Sequence, residues 1–295
     1  MNDMAAPVFD RVVEDVGNIV ELGHVNVTVP DQLKATAFYL MGLGLTRDPY
    51  LMAGVENMWV NVGRGQFHLP TRGQQVLRGT TALVVPDLEA LLRRLKNVER
   101  HLEGTQFAYR EAGDVVETVC PWGNRIRVHA PDPDKFGPMR MGMPYVEFDV
   151  PMGTSMEAIT KYYREIFGGI AGVAADERGH YAWAQCSMEA KVTFRETDKP
   201  LAPYDGHHIQ ITLVDFSGPH KKLLERGLVT EESDQHQYRT VDIVDVDTNK
   251  PIFQIEHEVR SMKHPMFNRV FVNRNADMSN RNFVPGYEVG LWALN

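Results

Sequence analysis

The chain has 295 residues, room for two domains at roughly 100–200 residues each. With 43% apolar and 24% charged residues it is globular rather than collagen-like or disordered, and 31 Lys and Arg against 39 Asp and Glu (net −8) leave no basic surplus for nucleic acid. Cys120 and Cys186 are too few for a disulfide framework or a thiolate zinc site, and no basic-then-apolar leader or run of about 18 apolar residues occurs, so the expectation is a cytoplasmic chain with no membrane contact.

Along the chain one small unit recurs four times. An alternating strand ends at Val29-Pro30-Asp31, at Val85-Pro86-Asp87, at Val150-Pro151 and at Leu213-Val214-Asp215, with offsets of about 56, 65 and 63 residues. Each stop precedes a helical pattern. Leu33, Ala37, Phe38 and Leu40-Met41 run to Gly42; Leu88, Leu91, Leu92 and Leu95 follow in the second unit; Met156, Ile159, Tyr163 and Ile166-Phe167 run to Gly168; and Lys221 to Arg226 stop at Gly227. Shorter strand-like runs close each unit, such as Met58 to Val62, the turn Gly63-Arg64-Gly65, and Gln66 to Leu69.

The Pro- and Gly-bearing stretch 131–142 separates the second unit from the third and reads as a linker. This predicts domains at 20–130 and 143–260. Residues 261–295 lie outside the repeat, carry Asn-Arg at 268–269, 273–274 and 280–281 among five aromatics, and are expected to form an extended arm across another surface.

Strand alternation sorts side chains onto two faces. In the first strand Val25, Val27 and Val29 form the apolar row and His24, Asn26 and Thr28 the polar one. In the fourth, Ile209, Ile211 and Leu213 are apolar while His208, Gln210 and Thr212 lie opposite, residue for residue. The closing strands add Gln66 and His68, and Gln254, Glu256 and Glu258. Imidazoles and a carboxylate are what a divalent transition metal binds without sulfur, so His24, His68, His208 and Glu256 are the candidate ligands. Glu258 and Arg239 are candidates for proton transfer and charge, and Asn26 and Gln210 for orienting a substrate. Comparable positions of units two and three hold Thr80 or Ala82, Arg127, Tyr145 or Glu147, and Thr193 or Arg195, mostly not ligand types. One ligand-rich and one empty site are expected. His207 is out of phase and reads as structural or solvent-facing, Glu147 and Asp149 as a solvated or salt-bridged edge, and Met139, Met141 and Met143 as packing.

Gly23-His24-Val25 with Phe38-Tyr39-Leu40-Met41-Gly42-Leu43-Gly44-Leu45, Gly206-His207-His208, and Gln254-Ile255-Glu256 resemble the vicinal oxygen chelate superfamily, which includes glyoxalase I, bleomycin-resistance proteins and type I extradiol dioxygenases. The resemblance covers about 22–260. It implies an α+β fold of four βαβββ modules forming two cupped mixed-sheet half-barrel domains, helices outside. In the tandem glyoxalases and hydroquinone ring-cleaving members unit one pairs with unit four, which would gather His24, His208 and Glu256. In the catechol enzymes units three and four hold iron through a His that Tyr145 replaces here, and the Tyr about ten residues before the ligand Glu is Val246.

The function expected from this resemblance is a metal-dependent enzyme, a non-haem dioxygenase acting on a small oxygen-chelating organic substrate. The alternatives are a glyoxalase-like isomerase or lyase, and a non-catalytic small-molecule binding protein of the resistance type. One divalent ion is expected, with Fe(II) favoured and Zn, Ni or Mn as alternatives. The partners are a small-molecule substrate and no nucleic acid or membrane, and a homodimer is compatible with the sequence.

Overall fold

The computed structural model describes residues 9–51 and 56–273, and within them every unit has the order strand, helix, three strands. Unit one comprises β1 (Ile19–Asn26), α1 (Gln32–Ala35, continuing as a π-helix over Thr36–Gly42), β2 (Thr46–Arg47), β3 (Asn57–Val62) and β4 (Gly65–Pro70). Unit two comprises β5 (Gly79–Val84), α2 (Leu88–Val98), β6 (Ala108–Ala112), β7 (Val115–Val119) and β8 (Arg125–His129). A short α3 (Pro133–Phe136) leads to unit three, β9 (Tyr145–Pro151), α4 (Met156–Glu165), β10 (Ala171–Asp176), β11 (Gly179–Gln185) and β12 (Lys191–Thr197). Unit four comprises β13 (His208–Leu213), α5 (Ser217–Glu225), β14 (Val229–Asp234), β15 (Gln237–Val244) and β16 (Pro251–Ser261).

The stop signals work as helix caps. Asp31 accepts the N–H groups of Leu33 (2.8 Å) and Lys34 (3.1 Å), Asp87 that of Ala90 (2.8 Å), and Ser155 that of Ala158 (3.1 Å). Each satisfies an otherwise orphaned donor and contributes about 1 kcal/mol. Leu91 and Leu95 are buried as their spacing predicts, and so are Ile159, Tyr163 and Phe167. Leu33 and Met41 are not: both are exposed, and the buried face of the first helix is Ala35, Ala37, Phe38 and Tyr39. The π-turns over Thr36–Gly42 shift the phase of that face, which a regular 3.6-residue count misses.

The strands form two eight-stranded mixed sheets, in the orders β14-β15-β16-β13-β1-β4-β3-β2 and β10-β11-β12-β9-β5-β8-β7-β6. The first joins unit four to unit one, the second unit three to unit two. Sheet membership therefore does not follow the consecutive division into 20–130 and 143–260. Within a unit the opening strand runs parallel to the closing one, leaving its other edge free; β1 uses that edge to pair antiparallel with β13, and β5 with β9. Across the first seam His24 faces Gln210, Val25 faces Ile209 and Asn26 faces His208. The apolar rows Val25-Val27-Val29 and Ile209-Ile211-Leu213 enter the hydrophobic core, and the polar rows line the cupped face.

Residues 131–142 thus connect two units of one sheet. Val84 and Gly142 exchange backbone hydrogen bonds of 2.9 and 3.2 Å there, and Met139, Met141 and Met143 are buried as packing. The Met141 carbonyl abuts Gly63 at the β3–β4 turn, whose φ of +63° and lack of space for a Cβ both require glycine. The arm enters the fold as far as residue 273, across unit one; the Asn-Arg pair at 280–281 and the aromatics Phe283, Tyr287 and Trp292 lie outside the described residues. Among the described residues no helix is long and apolar enough to cross a membrane.

Candidate metal centre

Two adjacent rows of the first sheet carry the candidate residues. One row runs Trp59, His68, Asn26, His208, Glu256, and the next runs Asn61, Gln66, His24, Gln210, Glu258, Arg239. Curvature of the sheet draws residues several strands apart together. His24 lies with its ring centroid 5.6 Å from that of His208 and 5.7 Å from that of His68. His24, His208 and Glu258 each place one donor atom within 4.8 Å of the others, and all three are buried.

Buried polar atoms in folded proteins are almost always hydrogen-bonded. Here His24 Nε2, His208 Nε2 and Glu258 Oε1 are buried and make no hydrogen bond. Arg260 Nη2 lies 2.6 Å from that Glu258 oxygen and forms an ion pair with it. Two imidazole nitrogens without hydrogen bonds beside a carboxylate are a set that fits a divalent transition-metal ion.

Electrostatics keep His24 and Glu258 in the binding-competent form. Burial lowers the His24 pKa well below the usual imidazole value, against the pull of Glu258, so the ring is neutral and its lone pair available. Burial also lowers His68, to about 3, with the neighbouring His208 charge adding to the effect. For Glu258 burial alone would raise the pKa, but His208, His24 and Arg260 overcome it and hold the carboxyl far below the ordinary range. Its other oxygen is 2.5 Å from Arg239 Nη2 and 3.4 Å from His208 Nε2.

The remaining expected residues take different places. Glu256 is not in the three-donor cluster: its carboxylate lies 3.2 Å from His208 Nδ1 and pairs with Arg239. The parallel register explains the exchange, since Glu256 sits beside His208 on the neighbouring strand whereas Glu258 lies one row further along, in the row of His24. His68 stacks on Trp59 with centroids 3.8 Å apart, and its Nε2 is 2.7 Å from Asn57 Oδ1. Asn26 donates to Gln75 at 3.5 Å and keeps an unpaired Oδ1 in the cup; Gln210 donates to Thr212 at 3.0 Å, which in turn donates to Glu21 at 2.6 Å. Arg239 bridges Glu256 and Glu258. His207 is structural, with Nδ1 2.6 Å from Asp205.

Trp59, Asn57 and Arg260 did not stand out in the sequence. Arg260 shares the alternation of Glu256 and Glu258 and was legible in that way. Trp59 and Asn57 needed the β3–β4 register, which puts Trp59 opposite His68.

No family model and no curated protein matches the sequence. Solved structures do match. Glyoxalase I from Zea mays aligns at 13% identity over 83% of this chain and 93% of its own, with a TM-score of 0.56, and a point variant of it at 14% over 85% and 96%, with 0.55. A Bacillus subtilis protein proposed to be a dioxygenase aligns at 13% over 84% and 87%, with 0.55. Together with the four βαβββ units and the two eight-stranded sheets, these likenesses show that the chain shares the fold of glyoxalase I.

Proposed function

We propose that this chain is a metal-dependent enzyme of the vicinal oxygen chelate type, an oxygenase in which His24, His208 and Glu258 hold one divalent ion, Fe(II) in the working enzyme. The observation that carries this is the convergence of one donor atom from each of three buried side chains, two of them imidazoles whose Nε2 lacks a hydrogen bond. Two imidazoles and one carboxylate form the facial ligand set of non-haem iron oxygenases, which leaves coordination positions open. A bound ion would supply Lewis acidity and a docking point for two adjacent substrate oxygens.

The protein's own groups do the rest. Glu256 beside Nδ1 of His208 orients that imidazole, the role of an outer carboxylate in many metal sites. Arg239 holds both glutamates in place and offsets their charge. Asn26, with its free Oδ1, and Gln210 orient a small oxygen-bearing substrate from the same face. The stacked Trp59 and His68 rings close one side of the site beside His24 and exclude water from that side.

The test is anaerobic loading with Fe(II), metal analysis, and oxygen uptake with a panel of catechols, hydroquinones and 2-hydroxy ketones. One iron per chain and substrate-dependent oxygen consumption support the proposal. Turnover without oxygen in the Zn or Ni form would replace it with an isomerase or lyase, and failure to retain any of these ions would remove the metal role.

A further inference from the structure

The segment from Arg269 to Asn273 packs against the imidazole-lined cup. Asp48 is fully buried, and a buried carboxylate needs a charged partner. Arg269 provides it from 221 residues away, with Nη2 2.6 Å from Oδ2 and Nη1 3.2 Å from Oδ1. The same Asp48 Oδ2 accepts from Gln66 Nε2 at 2.9 Å, and Gln66 Nε2 also donates to Asn61 at 2.7 Å. Asn61 in turn donates to the Val272 carbonyl at 3.0 Å. Asn273 locks the next turn, accepting from Gly63 N–H and donating to Gly63 C=O, both at 2.9 Å. Gln66 is the cross-strand partner of His24 in the parallel β1–β4 pair, on the same cupped face.

We propose that residues 269–273 are a strap that completes the metal cup, and that Arg269 is a positioning residue acting through Asp48 and Gln66 on His24. The inference rests on the reading of His24 as a metal donor. The physical ground is orientation. With Asp48 neutralised and fixed, both Gln66 hydrogens have acceptors, so its amide cannot turn toward the neighbouring imidazole and compete for the His24 lone pair. Without Arg269 the Asp48 carboxylate keeps the N–H groups of Tyr50 and Leu51 and the Gln66 amide but loses its countercharge, and the arm loses its anchor on Asp48.

The test uses the full chain with carbon-13-labelled histidine, its imidazole signals followed by NMR before and after Zn(II) is added. Arg269→Met should move the His24 signal in the metal-free protein and weaken Zn(II) binding by about tenfold, as loss of an outer-shell partner does. Arg269→Lys should restore most of both, and the signals of His180 and His220, which lie outside the cup, should stay in place. Should Arg269→Met not fold, Asp48→Asn removes the charge that Arg269 answers while keeping the residue's shape, and is expected to move the same signal. A His24 signal unmoved in every folded variant overturns the strap. A wild-type protein whose His24 and His208 signals ignore Zn(II) overturns the metal reading instead, while the metal-free spectra still decide the strap.

Discussion

The two cupped sheets share a backbone plan and differ in what lines it. Matching the seams (His24 opposite Gln210 in one, Thr80 opposite Glu147 in the other) puts Thr80, Arg127, Tyr145 and Thr193 where the first cup has His24, His68, His208 and Glu258. The second cup contains no alternative set of donors: among the described residues His24, His208 and Glu258 form the one cluster suited to a metal. Its buried carboxylate, Glu147, is bound bidentately by Arg178 at 2.7 and 2.8 Å and approached by Arg195 at 3.3 Å, and Arg195 also pairs with Asp176. Tyr145 hydroxyl lies 3.0 Å from His129. In this cup the charges are satisfied by each other; the first cup also pairs Glu258 with Arg239 and Arg260, but it leaves the Nε2 atoms of His24 and His208 without hydrogen bonds. The fold offers a concave polar face, and only the side chains decide whether it is a structural ion-pair ladder or a site.

Exchanging or removing the groups that make this difference gives the largest effects. His208→Ala, His24→Ala or Glu258→Ala is expected to abolish metal retention, measured as metal per chain after desalting, whereas Glu256→Ala should weaken it by only about tenfold. Equal losses for Glu256 and Glu258 would erase the distinction between ligand and orienting group. In the second cup Glu147→Gln should leave metal retention intact but destabilise the fold by about 2 kcal/mol in urea unfolding, because it removes charge-assisted hydrogen bonds from Arg178 and Arg195 at a nearly buried carboxylate while Arg195 keeps Asp176. That variant also sharpens the pH comparison. Burial would raise the Glu147 pKa, but Arg178 and Arg195 outweigh it and lower the folded value, so its contribution is complete above the unfolded carboxyl pKa of about 4.3. The contribution is lost as pH falls through the folded pKa. Wild-type stability should therefore decline more steeply than that of Glu147→Gln below about pH 4.3, and parallel acid limbs would refute the assignment. The smallest effect belongs to His68, held on Trp59 and Asn57: His68→Ala should keep one metal per chain with an affinity within a few-fold of wild type, about 1 kcal/mol or less. Loss of the ion would mean four protein ligands rather than three.

Much of this was legible because it is local. The Val-Pro-Asp stops are strand ends followed by helix caps, and the alternation around His24 and His208 places each imidazole on the polar face of its own strand. What escaped reading depends on distant partners. Glu256 and Glu258 have the same alternation, and only the register of β16 against β13, with the curvature of the sheet, singles out Glu258. Asp48 carries no local signal, because its partner Arg269 lies 221 residues away.

By itself the sequence determined the four repeated units, the polar faces of their strands and the poverty of ligands in units two and three. These follow from period-two alternation and from caps, which act over a few residues. The tertiary structure alone decided that unit four joins unit one, which glutamate clusters with both imidazoles, and where the arm is anchored. Those outcomes depend on edge pairing, register and buried charge between segments far apart in the chain, and no local pattern encodes them.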